Sequence, residues 1–145
     1  MAITAHLDAE GTNTSSRAAQ KYKDLDLNFK RVGSTKDINI VTDVTAVKRS
    51  VRNLVLTNHF EKPFHPEIGS GVRDILFEPM TPITASILAT AVEDVIENYE
   101  PRARLIGVRA YPNLDQNAYE VSVEFFVVNA PTEVITLDVM LEVLR

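Results

Sequence analysis

The 145-residue sequence contains no cysteine, no tryptophan and only 5 glycines, and 7% of it is aromatic. Without cysteine there is no disulfide framework, no thiolate nucleophile and no cysteine-bound metal. The composition fits assembly in a reducing cytoplasm. No apolar run approaches the roughly 20 residues of a membrane-spanning helix. The first residues, MAITAHLDAEGTNTSSR, carry neither the basic start nor the apolar stretch of a signal peptide. Basic residues are in deficit, 15 against 20 acidic, and the resulting net charge of -5 argues against a nucleic-acid partner, which needs a cationic surface to meet phosphates. There is no internal repeat. What is present, 45% hydrophobic and 24% charged residues, suits a folded core and one domain.

The strongest pattern runs from Thr81 to Leu105. Thr81 is a good N-cap and Pro82 suits the first helical position, where a missing N–H costs nothing. Ile83, Ile87, Leu88, Ala91, Val95 and Tyr99 recur at helical spacing and predict one apolar stripe. Pro101 stops the helix and biases Glu100 away from helical geometry. That leaves a carboxylate at a helix C-terminus, where the dipole disfavours it, with Arg102 and Arg104 as the nearest cations.

Upstream, residues 1–21 have no sustained period and are expected to form a tail, flexible in the isolated protein. Residues 22–145 are expected to form a single domain. YKDLDLNFKRV at 22–32 alternates, which predicts a strand with Leu25, Leu27 and Phe29 on its buried face. DINIV at 37–41 is short and ambiguous. A helix follows from Asp43, capped by Thr42 or Asp43, with Val44, Val47, Val51, Leu54 and Val55 on one face and an end near Asn58. The segment 58–80 holds three prolines and two glycines, yet also Phe60, Phe64, Ile68, Ile75, Leu76 and Phe77. It reads as a connector packed on the core, with Gly69 and Gly71 at special backbone angles and a short helix over about Val72 to Phe77.

Beyond the long helix the period becomes two. Residues 103–111 predict a strand with Arg104, Ile106 and Val108 on one face and Leu105, Arg109 and Tyr111 on the other. Residues 118–128 place Tyr119, Val121, Val123, Phe125 and Val127 inward. Residues 132–143 do the same with Ile135, Leu137, Val139, Leu141 and Val143. The expected fold is therefore α+β: a small mixed or antiparallel sheet with a C-terminal three-stranded meander, and two main helices packed on one face. The place of the N-terminal strand is left open. A meander has edges, and an edge strand is a template for pairing with another chain. The last strand is long, alternating and guarded only by Glu133, Asp138 and Glu142.

The run RNLVLTNHFEKPFHPEIGSGVRDILFEP, followed by NYEPRARL, resembles the baseplate wedge family of contractile-tailed phages, which includes the type VI secretion baseplate component. The resemblance rests on Arg52, Asn53, Leu54, Leu56, Thr57 and Asn58. It continues through Lys62, Pro63, Phe64, Pro66, Gly69, Ser70, Gly71, Arg73, Leu76, Phe77, Glu78 and Pro79, and closes on Glu100, Pro101 and Arg102. Lys62 departs from an expected arginine. It keeps the charge but not the bidentate fork. The resemblance implies a structural role without cofactor, metal or catalytic residues, in a virion tail baseplate assembled in the host cytoplasm. It implies wedge proteins with a helical core bundle as partners, met by Glu100, Pro101 and Arg102. It implies the tail sheath protein as a second partner, added as a strand to initiate the sheath, with Ile135, Leu137, Val139 and Leu141 on the sheath-facing strand. Tube and hub proteins are further neighbours. Pro63, Phe64, Pro66, Gly69, Gly71, Arg73, Phe77, Glu78 and Pro79 form the structural connector.

Other readings are weaker. Some family members have been described as tail lysozymes, and Glu61, Glu67, Glu78 and Glu100 are available carboxylates. A glycosidase needs two of them across a cleft, one with a raised pKa, and the sequence offers no evident sugar-stacking platform. His59 and His65 with Glu61 and Glu67 match no helical metal-ligand spacing. A bacterial stress-response anti-adaptor resembles this fold as well, which makes a partner-binding regulator the other non-enzymatic class.

Overall fold

In the computed structural model, residues 22–29, 31, 33 and 37–143 are described, apart from the side chain of residue 131. The expected tail over 1–21 lies outside them. The elements are β1 (Lys23–Leu25), β2 (Ile40–Thr42), α1 (Asp43–Leu56), α2 (Val72–Ile75), α3 (Pro82–Tyr99), β3 (Ala103–Asn113), β4 (Ala118–Val127) and β5 (Ala130–Glu142). β3, β4 and β5 form an antiparallel meander in that order, and among the described residues β1 pairs only with β2, in a separate antiparallel ribbon. This is the α+β class read from the sequence. The N-terminal strand does not join the meander.

The meander follows its alternation. Tyr119, Val121, Val123, Phe125 and Val127 are buried, as are their partners on β5, Ile135, Leu137, Val139 and Leu141. β3 breaks the pattern. Its register with β4 shifts between Leu105 and Gly107, so Ala103 and Leu105 face the core before the shift and Val108 and Ala110 after it. The two faces expected for residues 103–111 are therefore mixed, because one extra residue in a strand reverses the parity of everything beyond it.

Both long helices pack on the inner side of this sheet, in one core with it. In α1 the stripe is Val47, Val51 and Val55, with Ala46 beside it. The helix ends at Leu56, short of Asn58, where Thr57 turns extended. Thr42 makes no side-chain cap; instead Asp43, at a φ of 51°, donates its N–H to the Tyr22 carbonyl. In α3 the Thr81 hydroxyl accepts the Thr84 N–H at 3.1 Å, as expected of an N-cap, with Pro82 in the first turn. Its buried face is Thr84, Ala85, Leu88, Val92, Val95 and Ile96, and Ile83 is 73% exposed. The stripe through Ile83 and Ile87 is thus the outer one. α3 has apolar residues around more than half its circumference, so periodicity alone allows two stripes, and packing on the sheet selects one.

One further expectation is reversed and another is met only in part. Leu25, Leu27 and Phe29 are exposed, while Asp26 is only 3% exposed. In the connector, Val72 and Leu76 are buried, but Phe60 and Phe64 are 85% and 97% exposed and Phe77 is also out. Gly69 and Gly71 have no left-handed backbone; Phe60 and Phe64 do, at φ of 68° and 67°. Gly69 is required for a different reason: a Cβ there would lie 2.5 Å from the Asn58 carbonyl carbon. The connector is held by Ser70, whose N–H donates to the Thr57 carbonyl at 2.8 Å and whose hydroxyl donates to the Val55 carbonyl at 2.6 Å. These bonds satisfy carbonyls at the end of α1 that a helix leaves open.

Candidate functional site: the corner after the long helix and the open sheet edge

Glu100 is the C-cap residue of α3 and is 3% exposed. A carboxylate buried at the negative end of a helix needs a cation. Arg102 supplies it by a two-point fork: Nε donates to Oε1 at 2.7 Å and Nη2 to Oε2 at 2.9 Å, and the Arg102 N–H adds a bond to Oε1 at 3.3 Å. Pro101 makes the fork possible, because it ends the helix and turns the chain back within two residues. Arg104, the other cation near enough in sequence, is exposed. Burial pushes the Glu100 carboxyl up; the Arg102 hydrogen bonds, the Ser50 hydroxyl and the Arg102 charge together outweigh it and hold the group below the ordinary glutamate value. In turn the Glu100 carboxylate raises the pKa of Arg102 further above its usual range.

The guanidinium has a second partner. Arg102 Nη1 donates to both oxygens of Asp24, at 2.9 and 3.0 Å. Its Cζ lies 5.6 Å from the centroid of the Tyr22 ring. The Arg102 side chain is 24% exposed. The arginine is therefore shared between two carboxylates of its own chain, and Pro101 is the exposed residue of the corner. Asp24, Tyr22 and Ser50 were missed. Asp24 lies 78 positions from Arg102, and nothing local in the sequence sets it apart from other polar residues of an alternating strand.

The other candidate feature is the meander's edge. Ile135, Leu137, Val139 and Leu141 point into the core, so β5 can meet a partner only through its main chain and its outward side chains, among them Val134 and Met140. β3 and β5 are both outer strands of the meander. They differ in cover: the Val108 N–H of β3 donates to a Glu93 oxygen of α3 at 3.2 Å, whereas among the described residues β5 pairs on one side only, with β4.

The connector residues gather elsewhere. Pro63, Phe64 and Pro66 sit exposed on the loop, Gly69 is buried against Asn58, and Arg73, Phe77, Glu78 and Pro79 are exposed around and beyond α2. Glu61 accepts the N–H and side-chain amide of Asn58, and Glu67 pairs with His65 at 3.0 Å. Among the described residues no three metal-ligating side chains gather.

The motif-bearing part of this chain, residues 41–132, matches the family model of the baseplate wedge protein gp25. The chain belongs to that family. It is 32% identical over 113 residues to the baseplate wedge protein gp25 of Enterobacteria phage T4, covering 78% of this chain and 85% of the relative. Two solved structures share the fold. One is a candidate tail lysozyme from Geobacter sulfurreducens, with a TM-score of 0.64 at 22% identity, covering 69% of this chain and 90% of that one. The other is a chain of the anti-feeding prophage baseplate, with a TM-score of 0.60 at 19% identity, covering 86% and 88%. This baseplate wedge family chain is thus a structural component of a contractile tail by kinship. The Geobacter likeness speaks for fold alone. Hydrogen bonds from Asn58, from the Glu67 backbone and His65, and from Arg102 hold the Glu61, Glu67 and Glu100 carboxyls below their ordinary values.

Proposed function

We propose that this wedge protein works in the tail baseplate of a phage or phage-like particle, joins the helical bundle of the wedge to the first sheath ring, and initiates the sheath by accepting a strand at the β5 edge. The observation that carries this reading is the asymmetry of the meander. The β3 edge has α3 beside it, with Glu93 on the Val108 N–H, while β5, 13 residues long, pairs among the described residues on one side only. A long outer strand with main-chain groups to offer is the receptor needed for strand addition. Val134 and Met140, exposed on the outward face of β5, offer apolar contact to side chains of an added strand.

The corner of Glu100, Pro101 and Arg102 is assigned to the wedge side. Its contribution there is shape: a helix end fixed by the fork, with Pro101 at the surface, set against helices of the wedge bundle. Hydrogen exchange on the chain in assembled baseplates, with and without the sheath protein of the same particle, tests the sheath assignment. Amides of residues 130–142 should gain protection when sheath is added. Protection appearing on β3 instead, or on neither edge, would refute strand addition at β5.

A further inference from the structure

The ribbon of β1 and β2 is attached to the domain with its chemistry inverted. Leu25, Leu27, Phe29 and Ile40 are exposed, and among the described residues Val41 is the ribbon's one buried apolar side chain, with Tyr22 and Ile38 half-buried. Its carboxylates point inward. Asp24 receives the two Nη1 bonds of Arg102. Asp26 accepts from Arg49 of α1, from the Asn39 side chain at 3.3 Å and from the Asn28 N–H at 3.1 Å. The two arginines come from different places, one mid-way along α1 and one just beyond α3. Burying leucines would hold a ribbon by area, and burying a carboxylate holds nothing unless a cation meets it.

We infer that Asp24 and Asp26 are positioning residues: they dock the N-terminal ribbon onto the domain through two arginine–carboxylate contacts, and Arg102, shared by Glu100 and Asp24, ties the ribbon's position to the corner that ends α3. The motif that ends the helix therefore also acts inward, across 78 positions of sequence. The ribbon is a local unit whose opening is governed by charge, separate from the apolar core beneath it. This deepens the reading of the corner but is a property of the isolated chain, so it stands or falls independently of wedge or sheath binding.

The test is amide hydrogen exchange on the isolated full chain. Two reporters belong to the ribbon: the Asp26 N–H, which donates to the Asn39 carbonyl, and the Asp43 N–H, which donates to the Tyr22 carbonyl, both at 2.9 Å. In Asp24→Asn, which is isosteric and leaves the Glu100–Arg102 fork in place, these amides should exchange about tenfold faster, as losing a charge-assisted bond implies. Asp24→Glu should recover most of that loss. Asp24→Asn with Asp26→Asn should abolish ribbon protection, while Val121 and Val123 on β4 stay within about twofold of the unmodified chain. Raising NaCl from about 0.05 to about 0.5 M should speed ribbon exchange in the unmodified chain and not in the double variant. Unchanged ribbon exchange in the double variant would overturn the inference. So would β4 amides accelerating together with the ribbon, or an absent salt response in the unmodified chain.

Discussion

Arg102→Ala tests whether the corner is a structural clasp. The substitution removes two side-chain bonds to Glu100 and two to Asp24. The larger consequence falls on Glu100, left 3% exposed at a helix C-terminus with its cation gone. Breaking a buried pair costs about 3–5 kcal/mol. The Arg102 side chain keeps 24% of its surface in water and that of Asp24 keeps 36%, so the lower end, about 3 kcal/mol, is expected. For a chain of this length that corresponds to a fall in Tm of roughly 10 °C. Urea unfolding followed by circular dichroism measures it. The reasoning also fixes a double variant: in Glu100→Leu with Arg102→Leu the buried carboxylate leaves together with its cation, and only Asp24, whose side chain is 36% exposed, loses a partner, so stability should return to within about 1–2 kcal/mol of the original. If Arg102→Ala costs under about 0.5 kcal/mol, or if the double variant is the worse of the two, the clasp is not what stabilises this corner. Weakened wedge binding by Arg102→Ala would be interpretable only beside this measurement, since a frayed helix end and a lost contact look alike in a pull-down.

Glu100 and Asp26 both have folded pKa values below their ordinary 4.5 and 3.8, so their stabilisation is present in full above those values and is lost as pH falls through the depressed ones. Acid titration of stability should be level near neutrality and decline only in that acidic range. A decline already between pH 7 and about 6 would contradict the assignment. Gly69→Ala should destabilise by about 1–3 kcal/mol, because its Cβ would lie 2.5 Å from the Asn58 carbonyl carbon. Gly71→Ala, where a Cβ meets nothing within 4 Å, should stay within about 1 kcal/mol. Equal effects in thermal melts would defeat the distinction. The Tyr119 hydroxyl is buried without a hydrogen-bond partner among the described residues, so Tyr119→Phe should be neutral or stabilising by up to about 1 kcal/mol. A clear loss in denaturant unfolding would show that the hydroxyl is satisfied in solution.

Much of this architecture was legible because local rules and packing agree. Thr81, Pro82 and Pro101 bound a helix by capping and by proline's missing N–H, whatever lies around them. The alternation in β4 and β5 has period two and a single apolar side, so only one face can be buried. Where two solutions satisfied the local rule, the sequence was silent. α3 carries two apolar stripes, and the sheet beneath selects Leu88, Val92, Val95 and Ile96 over Ile83 and Ile87. One bulge at Leu105 to Gly107 reverses the faces of β3 and leaves no compositional trace beyond a glycine.

The candidate site divides along the same line. By itself the sequence determined that a carboxylate would end the long helix and that an arginine would lie two residues beyond the proline, because the helix dipole and the proline stop are local facts. Only the tertiary structure decided that the arginine turns inward, that Asp24 is its second partner, and that Asp26 is buried while Leu25 and Leu27 are not. Hydrophobic patterning assumes that burial follows apolarity. A charge-assisted bond to an arginine brought in from elsewhere in the chain outweighs that preference, and such a partner exists only once the fold has formed.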